Sequence, residues 1–463
     1  MPVRFTPPYP IPHRSKSGFL TRFVRGWRSW LDVLFEKSYT MKLGEVHIPA
    51  LSFYVANELP LVRRVLEEEV ADFPKHGFLG GLLDPLIGNS VFAASGAEWA
   101  EQRAMVNPAF GHTALKRVFA SMSAAVDDLV VRLGQEDLSV PVEIDPFVTH
   151  VAADIIFRTL FSRPLTEAES QEIYDGFHAY QKFAQRAVML RLYRLPQLGY
   201  ARRAEREARR IHTVFAAEVA GRFAATQLRG ERGEDILQAL IDARHPESGR
   251  VFTEAEVMEQ ISTIFLAGHE TSASAITWAL YLLARDPELQ QQVRAEAGAG
   301  PLAYEDLRGM TVTRDVFRET LRLYPPVSFL VREVTCPVTM RDKQLKRGGM
   351  VVISPWLIQR NRHNFPEPHG FDPGRFTDPE QAGACRHAYL PFGKGPRLCV
   401  GAGFANQEAL LAIAGVMRAF RLEPVAGDTP EPISRLTLRS RSGVRLRLTS
   451  TRDRVATSPV QAL

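Results

Sequence analysis

The sequence predicts a mainly α-helical fold with small β-sheets. Apolar residues recur at helical spacing over most of residues 60–324, which is the pattern of amphipathic and buried helices. One of these helices begins with a capping box, "TEAE" at 253–256, and stays apolar to about Leu283. From about residue 325 to 398 the pattern changes to Pro, Gly and short strand-like runs such as "VVISPW" (351–356).

Each further element follows from its local pattern. Helical spacing predicts helices near 60–71, 98–106, 114–134, 148–161, 167–190, 201–228, 287–296, 313–324 and 402–419. After the last helix, the runs "RLTLRS" and "VRLRLT" predict β-strands. Residues 1–17 are rich in Pro and polar side chains, which predicts an extended arm.

Residues 18–37 predict an amphipathic helix. Its apolar members are Phe19, Leu20, Phe23, Trp27, Trp30, Leu31 and Leu34. Two interpretations are open. Packing against the chain's own domain is favoured, because apolar stripes mostly face a protein core. The alternative is a weak peripheral contact with a lipid surface, helped by the arginines of the helix.

Composition excludes several classes of protein. At 463 residues, with 45% hydrophobic and 24% charged residues, the chain has the balance of a globular protein. Three cysteines cannot form a disulfide framework and suit a reducing cytoplasm. A net charge of +5 is too small for this length to indicate nucleic-acid binding. No apolar run approaches the ~20 residues of a membrane span, and arginines interrupt any signal-peptide core near the N-terminus.

The stretch "PFGKGPRLCVGAGFA" (391–405) places Cys399 just before a predicted helix. The positive end of that helix and the neighbouring Arg397 are expected to favour the thiolate over the thiol. The glycines allow the backbone to approach a flat ligand closely. A thiolate in such a loop suits an axial ligand of haem iron, and an arginine suits a haem propionate. Cys336 and Cys385 match no pattern and are interpreted as structural; a zinc site built on Cys385 lacks a fourth ligand at the usual spacing.

The defined positions of this loop form the pattern F-x-x-G-x-R-x-C-x-G, at Phe392, Gly395, Arg397, Cys399 and Gly401. The pattern resembles the haem-binding loop of the cytochrome P-450 superfamily. The resemblance implies the fold of that family, with a single haem sandwiched between a long central helix and the cysteine loop. It also implies that the cofactor is haem b (iron protoporphyrin IX), with Cys399 as the axial thiolate ligand.

A second motif, "AGHET" at 267–271, lies in the middle of the apolar helix and is similar to the family pattern [A/G]-G-x-[D/E]-T. The resemblance implies that Glu270 and Thr271 form an acid–alcohol pair that relays protons, and that Gly268 leaves room for dioxygen. The metalloprotease pattern H-E-x-x-H does not fit, because Ala273 stands where its second histidine belongs.

Two more motifs are similar to the family. "ETLR" supplies Glu319 and Arg322, and "FDPGRF" supplies Arg375, which together resemble a structural Glu–Arg–Arg network that holds the thiolate loop region. The family usually has an acidic residue where Gly374 stands.

"WAEQR" supplies Trp99 and Arg103, which lie one helical turn apart and resemble residues that bind a haem propionate. Arg332 resembles another propionate-binding arginine. The motifs keep the family's order over roughly residues 40 to 448. We therefore expect an N-terminal arm and amphipathic helix (1–39) and one haem-thiolate domain (40–463).

The resemblance implies a monooxygenase that inserts one oxygen atom from O2 into an apolar substrate such as a terpenoid or fatty acid. Segments expected to line the substrate pocket are 78–88, parts of 174–190, 265–266, 326–330 and 434–438, and Arg186 is a candidate anchor for a substrate carboxylate. Electrons are expected from a separate ferredoxin and its reductase, with Lys394 as a candidate contact, because no nucleotide-binding glycine loop is present. We expect a cytoplasmic monomer that binds no nucleic acid. The alternatives are a haem-thiolate peroxygenase, an isomerase-type relative, and a haem sensor without catalysis.

Overall fold

The computed structural model describes residues 4–451, apart from the side chains of residues 78–82 and 384. The α-helices are α1 (Phe19–Arg28), α2 (Leu59–Arg63), α3 (Gly77–Ile87), α4 (Gly96–Val106), α5 (His112–Gly134), α6 (Asp145–Phe161), α7 (Glu167–Leu192), α8 (Tyr200–Ala224), α9 (Ile236–Asp242), α10 (Glu254–Ala284), α11 (Pro287–Ala297), α12 (Thr311–Leu323), α13 (Pro355–Ile358), α14 (Pro379–Ala388) and α15 (Ala402–Ala419). Short 3₁₀ and π helices join several of them.

The strands form small separate sheets. They are β1 (Leu43–Ile48), β2 (Leu51–Ala56), β3 (Val142–Glu143), β4 (Leu330–Glu333), β5 (Val338–Met340), β6 (Lys343–Leu345), β7 (Met350–Ile353), β8 (Phe420–Pro424), β9 (Pro432–Ser434), β10 (Leu438–Ser440) and β11 (Arg445–Ser450). The largest sheet has the order β1-β2-β7-β4, with β2 and β7 parallel. The others are β3-β11-β8, β9-β10 and β5-β6. The predicted class, mainly helical with small sheets, is confirmed.

Most predicted helices lie within a few residues of their predicted places. The capping box of α10 is present: Thr253 Oγ1 accepts from Glu256 N–H at 3.2 Å, and Glu256 Oε2 accepts from Thr253 N–H at 2.8 Å. The strand predicted at 351–356 is only half strand, because Ser354 caps a new helix turn that begins at Pro355. Sequence patterns missed the β1–β2 hairpin and helices α3, α9 and α14, which are short or contain glycine and proline.

Helix α10 is the centre of the molecule. It packs against α6, α8, α12 and α15, and every residue from Ser272 to Ala284 is buried. One hydrophobic cluster surrounds it and extends from Leu31 to Leu448. A second cluster lies under the largest sheet and includes Tyr54 and Phe365. No helix in the described part of the chain is long and apolar enough to cross a membrane.

The N-terminal arm lies against the rest of the chain. Arg4 pairs with Asp286 at 2.6 Å, Phe5 bridges to Phe371, and the carbonyl of Pro8 accepts from the hydroxyl of Tyr324 at 2.6 Å. The following helix, α1, packs with one side only, through aromatic residues that contact the end of α7. The arm is therefore extended, as its composition predicts, but it is held by specific contacts.

A buried ion-pair network joins α12 to the irregular segment 359–375. Arg322 forms a bidentate pair with Glu319, at 2.7 and 2.8 Å, and Arg375 donates to the same carboxylate at 3.1 Å. The remaining N–H groups of the two guanidiniums donate to the carbonyls of Gln359, Pro366, Glu367, Pro368 and Gly370. The three side chains are almost fully inaccessible, and their polar groups are nearly all hydrogen-bonded, which is the condition under which a buried ion pair is stable.

Replacing the shared carboxylate tests the network. Glu319→Gln leaves two buried guanidiniums without a countercharge, and we expect the free energy of unfolding to fall by about 3–5 kcal/mol. The matched control is Glu423→Gln, which removes one member of the exposed Arg421–Glu423 pair and should cost less than about 1 kcal/mol. Urea unfolding of both variants measures the difference. Equal losses in the two variants would contradict the assignment.

Candidate functional site

The cysteine loop is held by its own backbone and by the helical turns after α2. The N–H of Cys399 donates to the carbonyl of Phe392 at 3.0 Å. Gly395 has φ +71°, and a Cβ there would lie 2.0 Å from the carbonyl oxygen of Leu66. Only glycine fits this position, because it is both left-handed and in contact with another backbone segment. Gly401 precedes α15 as its N-cap residue, so the thiol lies at the start of that helix.

The thiol of Cys399 is accessible, yet it lies deep enough in protein for burial to dominate its titration. Burial raises the pKa of Cys399, while a hydrogen bond from Gly401 N–H and the charges of Arg103 and Lys75 lower it. The sequence correctly predicts that the start of α15 lowers the pKa of Cys399. The sequence also predicts that the charge of Arg397 lowers this pKa, but the charges that lower it are those of Arg103 and Lys75. The Arg397 guanidinium instead lies over the Trp99 ring, 4.4 Å from its centroid.

Four cations share the surroundings of this thiol: Lys75, Arg103, Arg332 and Arg397. Burial lowers the pKa of Arg397 to about 10, and Arg332 and Arg103 add repulsion. Burial likewise lowers the pKa of Arg332 to about 10. Among the described residues, no carboxylate is among the main contributors to the pKa of any of the four.

Two of these cations, Arg397 and Arg332, have buried nitrogen atoms without a hydrogen-bond partner among the described residues. Arg397 donates to the carbonyl of Ala94 at 2.8 Å through Nη2, but its Nη1 is buried without a partner among the described residues. Arg332 donates to its neighbour's carbonyl through Nη1, and its Nε likewise has no partner. Buried guanidinium groups are normally saturated with acceptors. The cluster therefore has the charge and the free donors to hold a dianionic group beside Cys399.

Sequence patterns did not identify Lys75. It lies in "FPKHGF", between α2 and α3, and its ammonium sits 3.4 Å from the centroid of the Phe92 ring. Burial lowers the pKa of Lys75 well below its usual range, and the neighbouring arginines lower it further. No signal in the sequence marks this lysine, because it lies well before the Trp99–Arg103 motif and belongs to no motif of its own.

These residues fit the haem that the sequence predicts. A haem presents two propionate carboxylates at one edge, which match a cluster of cations without an internal anion. It also presents a metal ion. A metal cation bound to the sulfur of Cys399 would stabilise the thiolate form, whereas burial by itself stabilises the thiol form. Trp99, Arg103, Arg332, Phe392, Gly395, Arg397 and Gly401, all predicted to bind the cofactor, are brought together around Cys399 directly or through the loop backbone.

The buried part of α10 is interrupted by accessible residues at the "AGHET" motif. Between Gln260 and Ala284, only Leu266, Ala267, Gly268 and Thr271 keep accessible surface. Thr271 Oγ1 donates to the carbonyl of Ala267 at 2.5 Å, which is the i−4 bond that a mid-helix threonine commonly makes.

Gly268 lies one turn before Thr271 and packs against α6. A Cβ at this position would lie 3.2 Å from the side chain of Ile156 on α6. Close packing of the two helices therefore accounts for the glycine. The room for dioxygen that the resemblance implies at Gly268 stays a prediction.

Glu270 is buried and held on one side of α10 by four donors. Arg439 forms a bidentate pair with it, at 2.6 and 3.0 Å, and Gln181 and Thr437 donate to Oε2 at 3.0 Å each. Burial by itself raises the pKa of Glu270, but the charge of Arg439 and the donated bonds outweigh it, so the pKa is lowered. Among the described residues, Glu270 and Thr271 do not hydrogen-bond each other. The predicted pair is thus an ionised acid and an alcohol with separate partners.

A second buried acid, Glu408 on α15, was not identified from the sequence. Its Oε2 accepts from Ser272 Oγ at 2.5 Å, and its Oε1 is buried without a partner in the described part of the chain. Burial raises the pKa of Glu408 to about 8, and the bond from Ser272 offsets only part of this. A lone acid inside the apolar run "ANQEALLAIAG" (405–415) was the available signal. Near Thr271, α10 therefore carries an ionised carboxylate of its own, Glu270, and contacts the protonated carboxyl of Glu408 on α15.

Other candidates lie elsewhere. The guanidinium of Arg186 lies 5.8 Å from the Trp27 ring centroid and 5.5 Å from that of Tyr200, on the side of α7 that meets α1 and α8. Phe265 is buried against Phe215 and belongs to the core. Lys394 donates to the carbonyl of His387 at 2.8 Å. In the predicted pocket segment 78–88, the side chains of 78–82 lie outside the described residues.

Comparison with known proteins gives one consistent family. The family model described as Cytochrome P450 matches residues 33–446. The chain is 31% identical over 418 residues to cyclooctat-9-en-7-ol 5-monooxygenase of Streptomyces melanosporofaciens, which covers 87% of each chain. It is 28% identical over 416 residues to pentalenene oxygenase of Streptomyces avermitilis, covering 88% of this chain and 90% of that one. It is also 32% identical over 400 residues to taurochenodeoxycholic 6 alpha-hydroxylase of Sus scrofa, covering 81% and 78%.

The state of Glu408 predicts a pH-dependent effect on stability. Between pH ~5 and ~8 this carboxyl keeps its proton in the folded chain and loses it on unfolding, so it makes the free energy of unfolding fall as pH rises, by up to ~1.4 kcal/mol per pH unit. Glu408→Gln removes this pH-dependent contribution to the free energy of unfolding. We expect the variant to gain stability relative to the unmodified chain as pH rises from 5 to 8, measured by urea unfolding.

The exposed Glu205 provides the control, since Glu205→Gln should keep a constant offset from the unmodified chain over the same pH range. A constant offset for Glu408→Gln as well would show that Glu408 is ionised in the folded chain.

Proposed function

The chain belongs to the cytochrome P450 family, and from this premise we propose that it is a monooxygenase acting on an apolar cyclic substrate, with haem b held by Cys399. The family implies a haem with a cysteine thiolate ligand, and the relatives are named as monooxygenases and hydroxylases. The observation that carries the assignment of Cys399 is the cluster of four cations without an internal anion around this thiol. Cys336 is not among the groups that act on Lys75 or Arg103, and Cys385 is buried beside the carboxylate of Glu319 as well as Arg375.

The chain's own residues divide the task of holding the cofactor. Arg397 and Arg332 offer free N–H groups to the propionates, and Lys75 and Arg103 add positive charge. Trp99 fixes the direction of Arg397 by stacking. Gly395 and Phe392 fix the loop so that the sulfur faces the cofactor. When bound, a thiolate-ligated haem activates dioxygen and favours cleavage of the O–O bond.

Proton delivery in this proposal depends on one hydroxyl group and one carboxyl group of α10. Thr271 lies on the accessible stretch of the helix, where its hydroxyl can hold a proton near the reacting atoms. Glu270 is the carboxylate member of this proposed relay, and its pairing with Arg439 keeps it ionised and weakly basic. Arg439 is therefore a positioning residue, because it sets both the direction and the charge of Glu270. Positioned proton transfer contributes ~10²–10⁴-fold in enzymes.

The names of the relatives and the lining residues indicate the substrate class. Two relatives are named for cyclooctat-9-en-7-ol and pentalenene, and a third for a taurochenodeoxycholic substrate. Of the predicted lining segments, Leu266, Phe329 and Leu436 are half-buried apolar residues that keep accessible surface. An apolar cyclic terpenoid fits both observations. Arg186 points to α1 and α8 instead, so no carboxylate anchor is included.

The electrons come from outside the chain in this proposal. The family implies a redox partner, and the bacterial relatives favour a separate ferredoxin and its reductase. We propose a cytoplasmic monomer with the domain limits expected from the sequence. The cytoplasm supplies the reducing conditions that three free cysteines require.

The ligand assignment is tested by spectroscopy. Dithionite-reduced protein with carbon monoxide is expected to show the red-shifted Soret band of thiolate-ligated haem, and Cys399→Ser is expected to lose it. Cys336→Ser is the matched control and should keep the band, because Cys399, and not Cys336, acts on the pKa of Lys75 and Arg103. A histidine-type spectrum of the unmodified chain, or an unchanged band in Cys399→Ser, would refute the assignment.

The proton relay is tested by measuring how tightly electron consumption is coupled to product formation. Thr271→Ala removes the hydroxyl, and we expect less product per electron consumed, more hydrogen peroxide, and a turnover lowered by up to ~10²-fold. Thr271→Ser keeps a hydroxyl that can donate to Ala267 and should retain most of the coupling. Unchanged product per electron in Thr271→Ala would remove Thr271 from the relay. Turnover with peroxide but never with ferredoxin and dioxygen would instead establish a peroxygenase.

A further inference from the structure

One buried arginine of this chain has no countercharge. Among the described residues, the buried arginines are Arg322, Arg332, Arg360 and Arg375. Arg322 and Arg375 pair with Glu319, and Arg332 is proposed above to hold a propionate. Arg360 is 2% exposed, and among the described residues no carboxylate is among the main contributors to its pKa. A buried charge normally has a partner of opposite charge, so the surroundings of Arg360 need an explanation.

Aromatic rings lie against the guanidinium of Arg360. Its Cζ lies 3.5 Å from the centroid of the Trp356 ring and 5.7 Å from that of the Tyr324 ring. Such contacts attract the cation to the ring and offset part of the cost of burial. They do not satisfy its N–H groups, because Nε and Nη1 are buried without a hydrogen-bond partner among the described residues. Burial is the main reason why the pKa of Arg360 is lowered to about 10.

His369 and Tyr39 bring further donors to the same place. Burial, and then the charges of Arg360 and Arg322, lower the pKa of His369 to about 4, so its ring is neutral near pH 7. The Nδ1 of this ring is buried without a partner in the described part of the chain, and it is a donor in one of the two tautomers. The Tyr39 ring centroid lies 6.0 Å from that of His369. Its hydroxyl accepts from Trp356 Nε1 at 2.9 Å, which leaves its own proton available for donation.

We propose that Arg360, His369 and Tyr39 bind one small monovalent anion, with chloride as the ligand. A water molecule could accept from the same donors, but it would leave the charge of Arg360 uncompensated, and an unpaired buried charge is costly. A divalent anion such as sulfate would bring one negative charge too many into the same buried surroundings. One chloride ion balances one guanidinium. This site goes beyond the proposed function and does not depend on it.

The anion would join the N-terminal arm to the segment that the buried ion-pair network holds. Tyr9 of the arm stacks on His369, and the two ring centroids lie 4.2 Å apart. The carbonyl groups on either side of His369, those of Pro368 and Gly370, accept from Arg322 at 2.7 and 2.8 Å. A ligand that fixes His369 therefore stabilises both the arm and this segment, and it binds the folded chain in preference to the unfolded one.

Bromide locates the site directly, because it replaces chloride and scatters X-rays anomalously. Crystals of the full-length protein soaked in sodium bromide are expected to show an anomalous peak within hydrogen-bond distance of the Arg360 guanidinium. Crystals of Arg360→Gln treated in the same way should show no peak there. Peaks confined to the protein surface would identify an adventitious ion only and would overturn the proposal.

Chloride-dependent stability tests the site in solution. Thermal unfolding of the full-length protein is followed by circular dichroism while chloride replaces gluconate at constant ionic strength. Because chloride would bind only the folded chain, we expect the melting temperature to rise by about 2 °C or more between about 1 and about 200 mM chloride. Arg360→Gln should lose this rise, since it removes the charge that the anion balances.

Two further variants complete the test. Arg447→Gln removes an exposed arginine on β11 and should keep the full chloride dependence. His369→Phe keeps a ring against Tyr9 but removes Nδ1, and we expect about tenfold more chloride to be needed for the same rise. If Arg360→Gln does not fold, His369→Phe and the bromide peak of the unmodified chain decide the outcome. An equal chloride dependence in His369→Phe, Arg447→Gln and the unmodified chain would overturn the proposal. Neither measurement reads the haem, so its failure is distinguishable from failure of the proposed function.

Discussion

The arrangement of this protein depends on a concentration of buried positive charge around one cysteine. Lys75, Arg103, Arg332 and Arg397 come from four different parts of the chain and repel one another in surroundings that also raise the cost of each charge. Such a cluster is stable only with an anionic group at its centre. Among the described residues, no carboxylate is among the main contributors to the pKa of these groups, which suits the cluster to the proposed cofactor with its two carboxylates and thiol-binding metal.

Holding that cluster together requires rigid supports that lie outside it. The Glu319–Arg322–Arg375 network fixes the irregular segment 359–375 by saturating its carbonyl groups. The cysteine loop then closes on Leu66 at Gly395. These supports act through backbone geometry rather than through contact with substrate, so a single methyl group at Gly395 would force the cysteine loop or the backbone at Leu66 to move.

Two acids give α10 opposite proton states within one turn of Thr271. Arg439 keeps Glu270 ionised, while burial keeps Glu408, on α15, protonated. Both residues are glutamates on buried helix faces, so their difference comes entirely from their partners.

The sequence by itself determined the family, the long helices and the members of the ion-pair network, and it marked Cys399 as the proposed ligand, because these are written in local periodicity and in motifs of fixed spacing. It did not reveal Lys75, Arg439 or Glu408, since each acts through neighbours that are distant in the chain and belongs to no motif. The interpretation of α1 also needed the fold: the sequence shows an amphipathic helix, but only its contact with Tyr193 shows which part is covered and which part stays exposed. Tertiary structure decided these points because burial, charge pairing and exposure depend on which segments meet.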